Sequence, residues 1–160
     1  MRDQKSNLEE VYDDEVFQVL LDYEVTRSKR YPAHISLVHI EFIPSGNDKA
    51  LRFASKVFAT AINSHMRSAD IPSTKGNEFK ILMPATSTNG LNAICERLIS
   101  VFKNSFTTKE GQSIAFSINI GGVSHPGGES LSRESFLESA QSALKQSKQK
   151  GPNTYIVIGQ

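Results

Sequence analysis

The chain has one cysteine, Cys95, in 160 residues. That excludes an internal disulfide and any zinc site built from several cysteines. It also lacks an excess of one charge: 18 Lys and Arg face 17 Asp and Glu, a formal net charge of +1. Non-specific nucleic-acid binding runs on surplus positive charge, so no nucleic-acid partner is expected. No apolar run approaches the roughly 20 residues of a membrane span, so membrane insertion is not expected either. The first ten residues, MRDQKSNLEE, hold no apolar stretch of a secretory leader. Internal repeats, low-complexity tracts and the HExxH, Walker, CxxC and Ser/His/Asp patterns are all missing. What is there is 38% hydrophobic and 22% charged, the composition of one ordinary soluble domain expected in the cytoplasm. Composition leaves the activity open.

The polar residues 1–12 read as a flexible N-terminus and 13–160 as a single domain. From Asp13 or Asp14 a 3–4 spacing through Val16, Phe17, Leu20 and Leu21 predicts a helix to about Arg30, ahead of Pro32. His34–Phe42 is apolar on both parities and predicts a strand covered on both faces. Pro44-Ser45-Gly46-Asn47 reads as a loop, followed by a helix capped by Asp48 and ending near Arg67. Short strands at 71–74 and 78–83 flank a turn at Lys75-Gly76-Asn77, residue types that tolerate a hairpin. A helix opens at Thr88 or Asn89, and Cys95 lies on its apolar stripe, the position of a core residue. An alternating strand follows at 113–123, then a helix from Ser132 to about Gln149 and a last strand at 154–158. From residue 34 the order is β-α-β-β-α-β, then α-β. The fold class is therefore α/β (α+β): a ferredoxin-like βαββαβ core with an added N-terminal helix and a C-terminal helix plus strand. Its central sheet is expected to be mostly antiparallel and flanked by helices.

The stretch Arg67-Ser-Ala-Asp70-Ile-Pro-Ser-Thr-Lys75-Gly76-Asn77-Glu78-Phe79 resembles the heart of a GGDEF domain, the diguanylate cyclase family. There an RxxD pair precedes a strand and the GGDEF hairpin. Here that signature reads KGNEF. Asp48-Lys-Ala-Leu51 is similar to the family's GDxxL helix start, and Ser117 to Val123 to its SIGV strand. Ala140 through Asn153 is similar to the family's ADxALYxAKxxGRN ending. The resemblance covers most of the chain, and its order agrees with the elements read from periodicity.

The resemblance implies condensation of two GTP molecules into cyclic di-GMP, a bacterial second messenger, with divalent metal help. Metal-assisted phosphoryl transfer needs hard, preferably charged oxygen ligands. Glu41 matches the family's carboxylate at the end of the first strand. Asn77 stands where the turn carboxylate belongs and brings no charge. Glu78 keeps the next acidic position. Lys75 replaces the first glycine, while Gly76 and Phe79 are retained. The family's longer segment between the positions of Glu41 and Asp48 is reduced to Phe42–Asn47. Pro152 replaces the GRN arginine, and Lys148 survives. These departures predict a catalytically inactive domain with no catalytic residues, no metal site and no cofactor. Glu41, Asp48 and Lys148 are the candidates for residual nucleotide or metal contact, with Mg²⁺ needed only if GTP still binds.

Arg67 and Asp70 match the RxxD product site. A guanidinium can fork onto guanine O6 and N7, and a carboxylate can accept from its N1 and N2. The spacer Ile71–Thr74 is one residue shorter than the family's. The competing reading gives Arg67 to the helix end and Asp70 to a turn cap. The expected function is thus a receptor or regulatory module for cyclic di-GMP through Arg67 and Asp70. The alternatives are a protein-interaction or dimerisation module that binds no nucleotide, and residual GTP binding or weak cyclase activity. Expected partners are cyclic di-GMP, another signalling protein or domain, and a second copy. The chain would stand alone or form the cytoplasmic domain of a larger signalling protein. Two further features have structural readings. His39 and Glu41 share a strand face, where a hydrogen-bonded His is favoured over a metal pair. Lys145, Lys148 and Lys150 form a basic helix end, favoured as a solvated face over a phosphate site.

Overall fold

A computed structural model describes residues 11–160. The expected flexible tail falls outside these residues except for its last two. Of those, Tyr12 donates its N–H to the Pro72 carbonyl at 3.0 Å and pairs in parallel with Ser73. Helix α1 spans Asp14–Arg30, capped by the Asp13 carboxylate on the Val16 N–H, with acidic residues first and basic residues last, as the helix dipole favours.

Strand β1 spans Ile35–Gly46. It is longer than the sequence suggests, because Pro44-Ser45-Gly46 is strand and not loop. Strand β3 (Glu78–Pro84) pairs with β1 only as far as Glu41, while β5 (Ser113–His125) pairs with it through Gly46. Beyond Phe42, whose N–H bonds the Asn77 carbonyl, that edge of β1 has no partner strand, and there a proline costs no ladder bond. The expected helix from Asp48 to Arg67 is two pieces, α2 (Asp48–Leu51) and α3 (Ala54–Asn63). The break lies at Phe53 (φ −101°, ψ 3°), whose N–H bonds the carbonyl three residues back at Ala50. The cap of α2 is Asn47 rather than Asp48: its side chain accepts from Ala50 N–H.

Strand β2 (Ile71–Lys75) and β3 form the expected hairpin, with Lys75 opposite Glu78. Gly76 sits at φ +63° and Asn77 does not take a positive φ, the pattern of a two-residue hairpin turn with glycine first. Helix α4 (Thr88–Val101), the short β4 (Phe106–Thr107), α5 (Arg133–Lys150) and β6 (Thr154–Gly159) complete the chain. A strand of two residues such as β4 leaves no periodicity to read.

The sheet runs β2-β3-β1-β5-β4, with β6 added parallel to β5 and all other pairs antiparallel. Alternation along β1 feeds two cores. Val38, Ile40 and Phe42 join α2, α3 and α4 in one; Ile35 and Leu37 join α1 and α5 in the other. The first is rich in phenylalanine: Phe58 stacks on Phe42 at 4.0 Å and on Phe102 at 4.7 Å between centroids. Cys95 is fully buried there, and desolvation pushes its thiol up to about 12.

The second face positions the site. A Cβ on Gly121 of β5 would lie 2.0 Å from the Leu144 backbone N and 2.6 Å from the Ala140 carbonyl. Glycine at this position lets α5 lie directly on the strand, and the last turns of α5 then overhang the ends of β1 and β3.

Candidate functional site

On that face the odd-numbered residues of β1 project toward α5. Two of them, His39 and Glu41, meet Glu78 of β3 and the helix residues Gln141, Leu144, Lys145, Lys148 and Gln149 around an open groove of about 450 Å³. His39 is 5% exposed and its Nε2 lies 2.6 Å from Glu78 Oε1. Burial lowers its pKa, and the Glu78 hydrogen bond only partly offsets this. The neutral ring therefore donates Nε2–H to the carboxylate. Of the two readings of His39, the structure has the hydrogen-bonded one.

Lys148 Nζ reaches Glu41 at 3.0 and 3.1 Å on its two oxygens, joining residues 107 apart in sequence. Both carboxylates in the groove are therefore partnered, and Lys145 adds a second ammonium beside them. With His39 neutral, the groove holds two negative and two positive charges. Among the described residues no three His, Cys, Asp or Glu side chains stand close enough to hold a metal ion. A resident Mg²⁺ wants oxygen ligands with uncompensated charge. Here the charge of Glu41 is already paired with Lys148.

Asn77 sits in the exposed turn between Lys75, Gly76 and Glu78, and its backbone carbonyl accepts from Phe42 N–H at 3.2 Å. Phe79 is not a surface residue of the signature but a core one, 1% exposed against Phe58. Asp48 is exposed in the first turn of α2 and does not line the groove. Of the three residual candidates, the fold brings together Glu41 and Lys148 and leaves Asp48 apart.

Arg67 and Asp70 lie elsewhere, in the turn before β2. Asp70 is 1% exposed, and both its oxygens are engaged from within. Oδ2 accepts the Arg67 backbone N–H at 2.9 Å, and Oδ1 accepts from Arg67 Nη2 at 2.7 Å. Arg67 Nη2 also donates to the Pro84 carbonyl (2.8 Å) and Thr86 Oγ1 (2.7 Å). These bonds bracket Ala85, a non-glycine residue at φ 53°. A left-handed alanine persists where its surroundings hold it. The Arg67 side chain is nevertheless 48% exposed. Asp70 thus serves as holder of Arg67, and what the pair leaves exposed belongs to the Arg67 side chain.

The sequence reading missed the hub that Arg67 makes with Pro84 and Thr86, because nothing local links residues 17 and 19 apart. It also missed Gln141 and Lys145 as groove residues. Their signal was present: 141, 144, 145 and 148 fall on one helical face, the face of Lys148.

The sequence model described as "Diguanylate cyclase, GGDEF domain" matches residues 48–154. A comparison with curated proteins gives no match. Among solved structures, the GGDEF domain of TpbB (YfiN) from Pseudomonas aeruginosa is similar with a TM-score of 0.76 at 16% identity, over 94% of this chain and 98% of that one. The GGDEF domain of DgcB from Caulobacter crescentus, in complex with c-di-GMP, has a TM-score of 0.70 at 16% identity, over 94% and 90%. Diguanylate cyclase SiaD in complex with its activator SiaC, from Pseudomonas aeruginosa, has 0.74 at 18%, over 96% of this chain and 60% of that one. At these identities the likeness carries the fold.

Proposed function

The chain belongs to the GGDEF family, and from that premise we propose that it is a non-cyclising signalling module that reads cyclic di-GMP with Arg67. The observation that carries the first half is that the groove's carboxylates are engaged: Lys148 pairs the charge of Glu41, and Glu78 accepts a hydrogen bond from the neutral His39. Phosphoryl transfer is mostly electrostatic positioning. A groove whose Glu41 is charge-paired and whose Glu78 is hydrogen-bonded, with Asn77 in the turn, has little left to gather a metal and a triphosphate. The segment Phe42–Gly46 supports the same reading. It is spent as strand against β5 and builds no wall over the groove.

The second half rests on Arg67. Three internal acceptors fix its guanidinium while 48% of the side chain stays exposed. A planar guanidinium held in place loses little entropy when it stacks on the face of a guanine. The SiaD complex with SiaC supports a role through protein partners for domains of this fold. A second reading has its own observation. Asp70, at 1% exposure, offers no oxygen to a ligand, which favours a protein-interaction module that binds no nucleotide.

Calorimetric titration with cyclic di-GMP and, separately, with GTP and Mg²⁺ decides between them. The receptor reading expects cyclic di-GMP to bind and the binding to be lost in Arg67→Ala, with a thermal melt showing that the variant remains folded. Absence of binding by the wild-type chain overturns it in favour of the interaction module. Binding of GTP instead would point to residual cyclase machinery.

A further inference from the structure

Strand β3 ends at Pro84, and the next residue, Ala85, sits at φ 53° although it carries a side chain. A left-handed alanine is disfavoured and persists only where its neighbours fix it. Across this step the Pro84 carbonyl and the Thr86 hydroxyl converge on one nitrogen: both accept from Arg67 Nη2, at 2.8 and 2.7 Å. Thr86 Oγ1 also donates to the Pro84 carbonyl at 3.2 Å. Its one hydrogen is spent there, so it meets the guanidinium with a lone pair.

Thr86 has a second set of bonds, facing inward. It is 5% exposed, and its backbone carbonyl accepts from Ser36 Oγ of β1 at 2.7 Å and from Ser124 Oγ of β5 at 3.5 Å. The two serines are fully buried and stand opposite each other in the β1–β5 ladder. Buried hydroxyls need partners, and both of these find one in the same carbonyl.

Asp70 does not replace these contacts. It binds one edge of the guanidinium, through Nε at 3.2 Å and Nη2 at 2.7 Å, and it belongs to the same short turn as Arg67. A contact along one edge leaves the plane free to tilt about that edge. Thr86 reaches the group from 19 residues away, on a segment tied to the middle of the sheet.

We propose that Thr86 is the positioning residue of the arginine site. Its hydroxyl fixes the plane of the Arg67 guanidinium, and its carbonyl anchors that plane to the two central strands through Ser36 and Ser124. This rests on the reading of Arg67 as the group that meets cyclic di-GMP, because stacking on a guanine depends on how the plane is turned. Thr86 acts through Arg67.

Two substitutions separate its hydroxyl from its methyl group. In calorimetric titration with cyclic di-GMP, Thr86→Val should weaken binding about tenfold, the effect of one hydrogen bond to a charged group, and Thr86→Ser should stay within about twofold of the wild type. Equal affinity of the wild type and Thr86→Val, or an equal loss in both variants, overturns the proposal. A second readout needs no nucleotide. The Nε–H of Arg67, assigned by its absence in Arg67→Ala, should give a sharp, slowly exchanging NMR signal in the wild type and Thr86→Ser, and an averaged, rapidly exchanging one in Thr86→Val. An equally ordered signal in Thr86→Val overturns the proposal. A wild-type chain that binds no cyclic di-GMP overturns the receptor reading alone, and the Arg67 signal then decides the role of Thr86. If a thermal melt shows that Thr86→Val does not fold, Ser36→Ala carries the test. It frees the Thr86 carbonyl and leaves the hydroxyl, so it should weaken binding about threefold and broaden the same signal. No change in either overturns the proposal.

Discussion

Two ion pairs of nearly equal length do different work in this domain. Arg67 and Asp70 meet at 2.7 Å, and Lys148 and Glu41 at 3.0 Å. Asp70 is almost wholly buried, whereas Lys148 and Glu41 side chains are 49% and 29% exposed. A buried carboxylate depends on its partners, because nothing else compensates its lost hydration. An exposed pair competes with water and salt and contributes little to stability. The turn pair therefore holds the fold, fixing the entry to β2 and the left-handed Ala85. The groove pair sets the local charge, and its consequence lies in what the groove can bind.

That contrast can be broken at several strengths. The largest effect is expected at Gly121, where a methyl group would meet the backbone of α5 rather than a movable side chain. Gly121→Ala should cost about 3 kcal/mol in urea denaturation, the upper part of the overpacking range, and should carry Lys148 away from Glu41. Next comes Asp70→Ala. It removes the acceptor for the Arg67 backbone and side chain and should cost about 2–3 kcal/mol. Asp70→Asn, which keeps an acceptor oxygen, should cost less.

The third effect is pH-dependent. His39 has its pKa lowered by burial, so below the unfolded value of 6.5 the unfolded chain binds the proton that the folded chain resists. The stability associated with neutral His39 is complete above about pH 6.5 and is lost as pH falls from there toward its folded pKa. His39→Gln should flatten that part of the stability profile between pH 7 and 5. His125, also lowered by burial, contributes to the slope that persists; its neutral ring accepts the Gly127 N–H at Nδ1. The smallest effect is expected for Lys148→Ala. A double-mutant cycle with Glu41→Ala should give a coupling within about 0.5 kcal/mol, shrinking further in high salt.

The sequence made the frame legible where local pattern decides the structure. The helix 14–30, the alternating strand 113–125 and the hairpin at Gly76 follow from spacing, caps and turn chemistry. It failed where a partner strand decides. Pro44 reads as a breaker, yet β5 continues along one side of it and the other side needs no bond. Phe53 splits a helix whose apolar stripe reads as continuous. The site shows the same division. The KGNEF turn and the Arg67–Asp70 spacing are visible in the sequence. The burial of Asp70 and the engagement of Glu41 by Lys148 depend on contacts between β3 and the turn, and between α5 and β1. Composition and periodicity carry no trace of either contact.

The most direct test of the central claim, that this GGDEF domain signals without cyclising, is a product assay. The chain is incubated at high concentration with GTP and Mg²⁺, and cyclic di-GMP is sought by chromatography. The engaged carboxylates of the groove predict no product above the protein-free control, for the wild type and for Glu41→Ala alike. Product formed by the wild type and lost in Glu41→Ala would contradict it and return this domain to the cyclases.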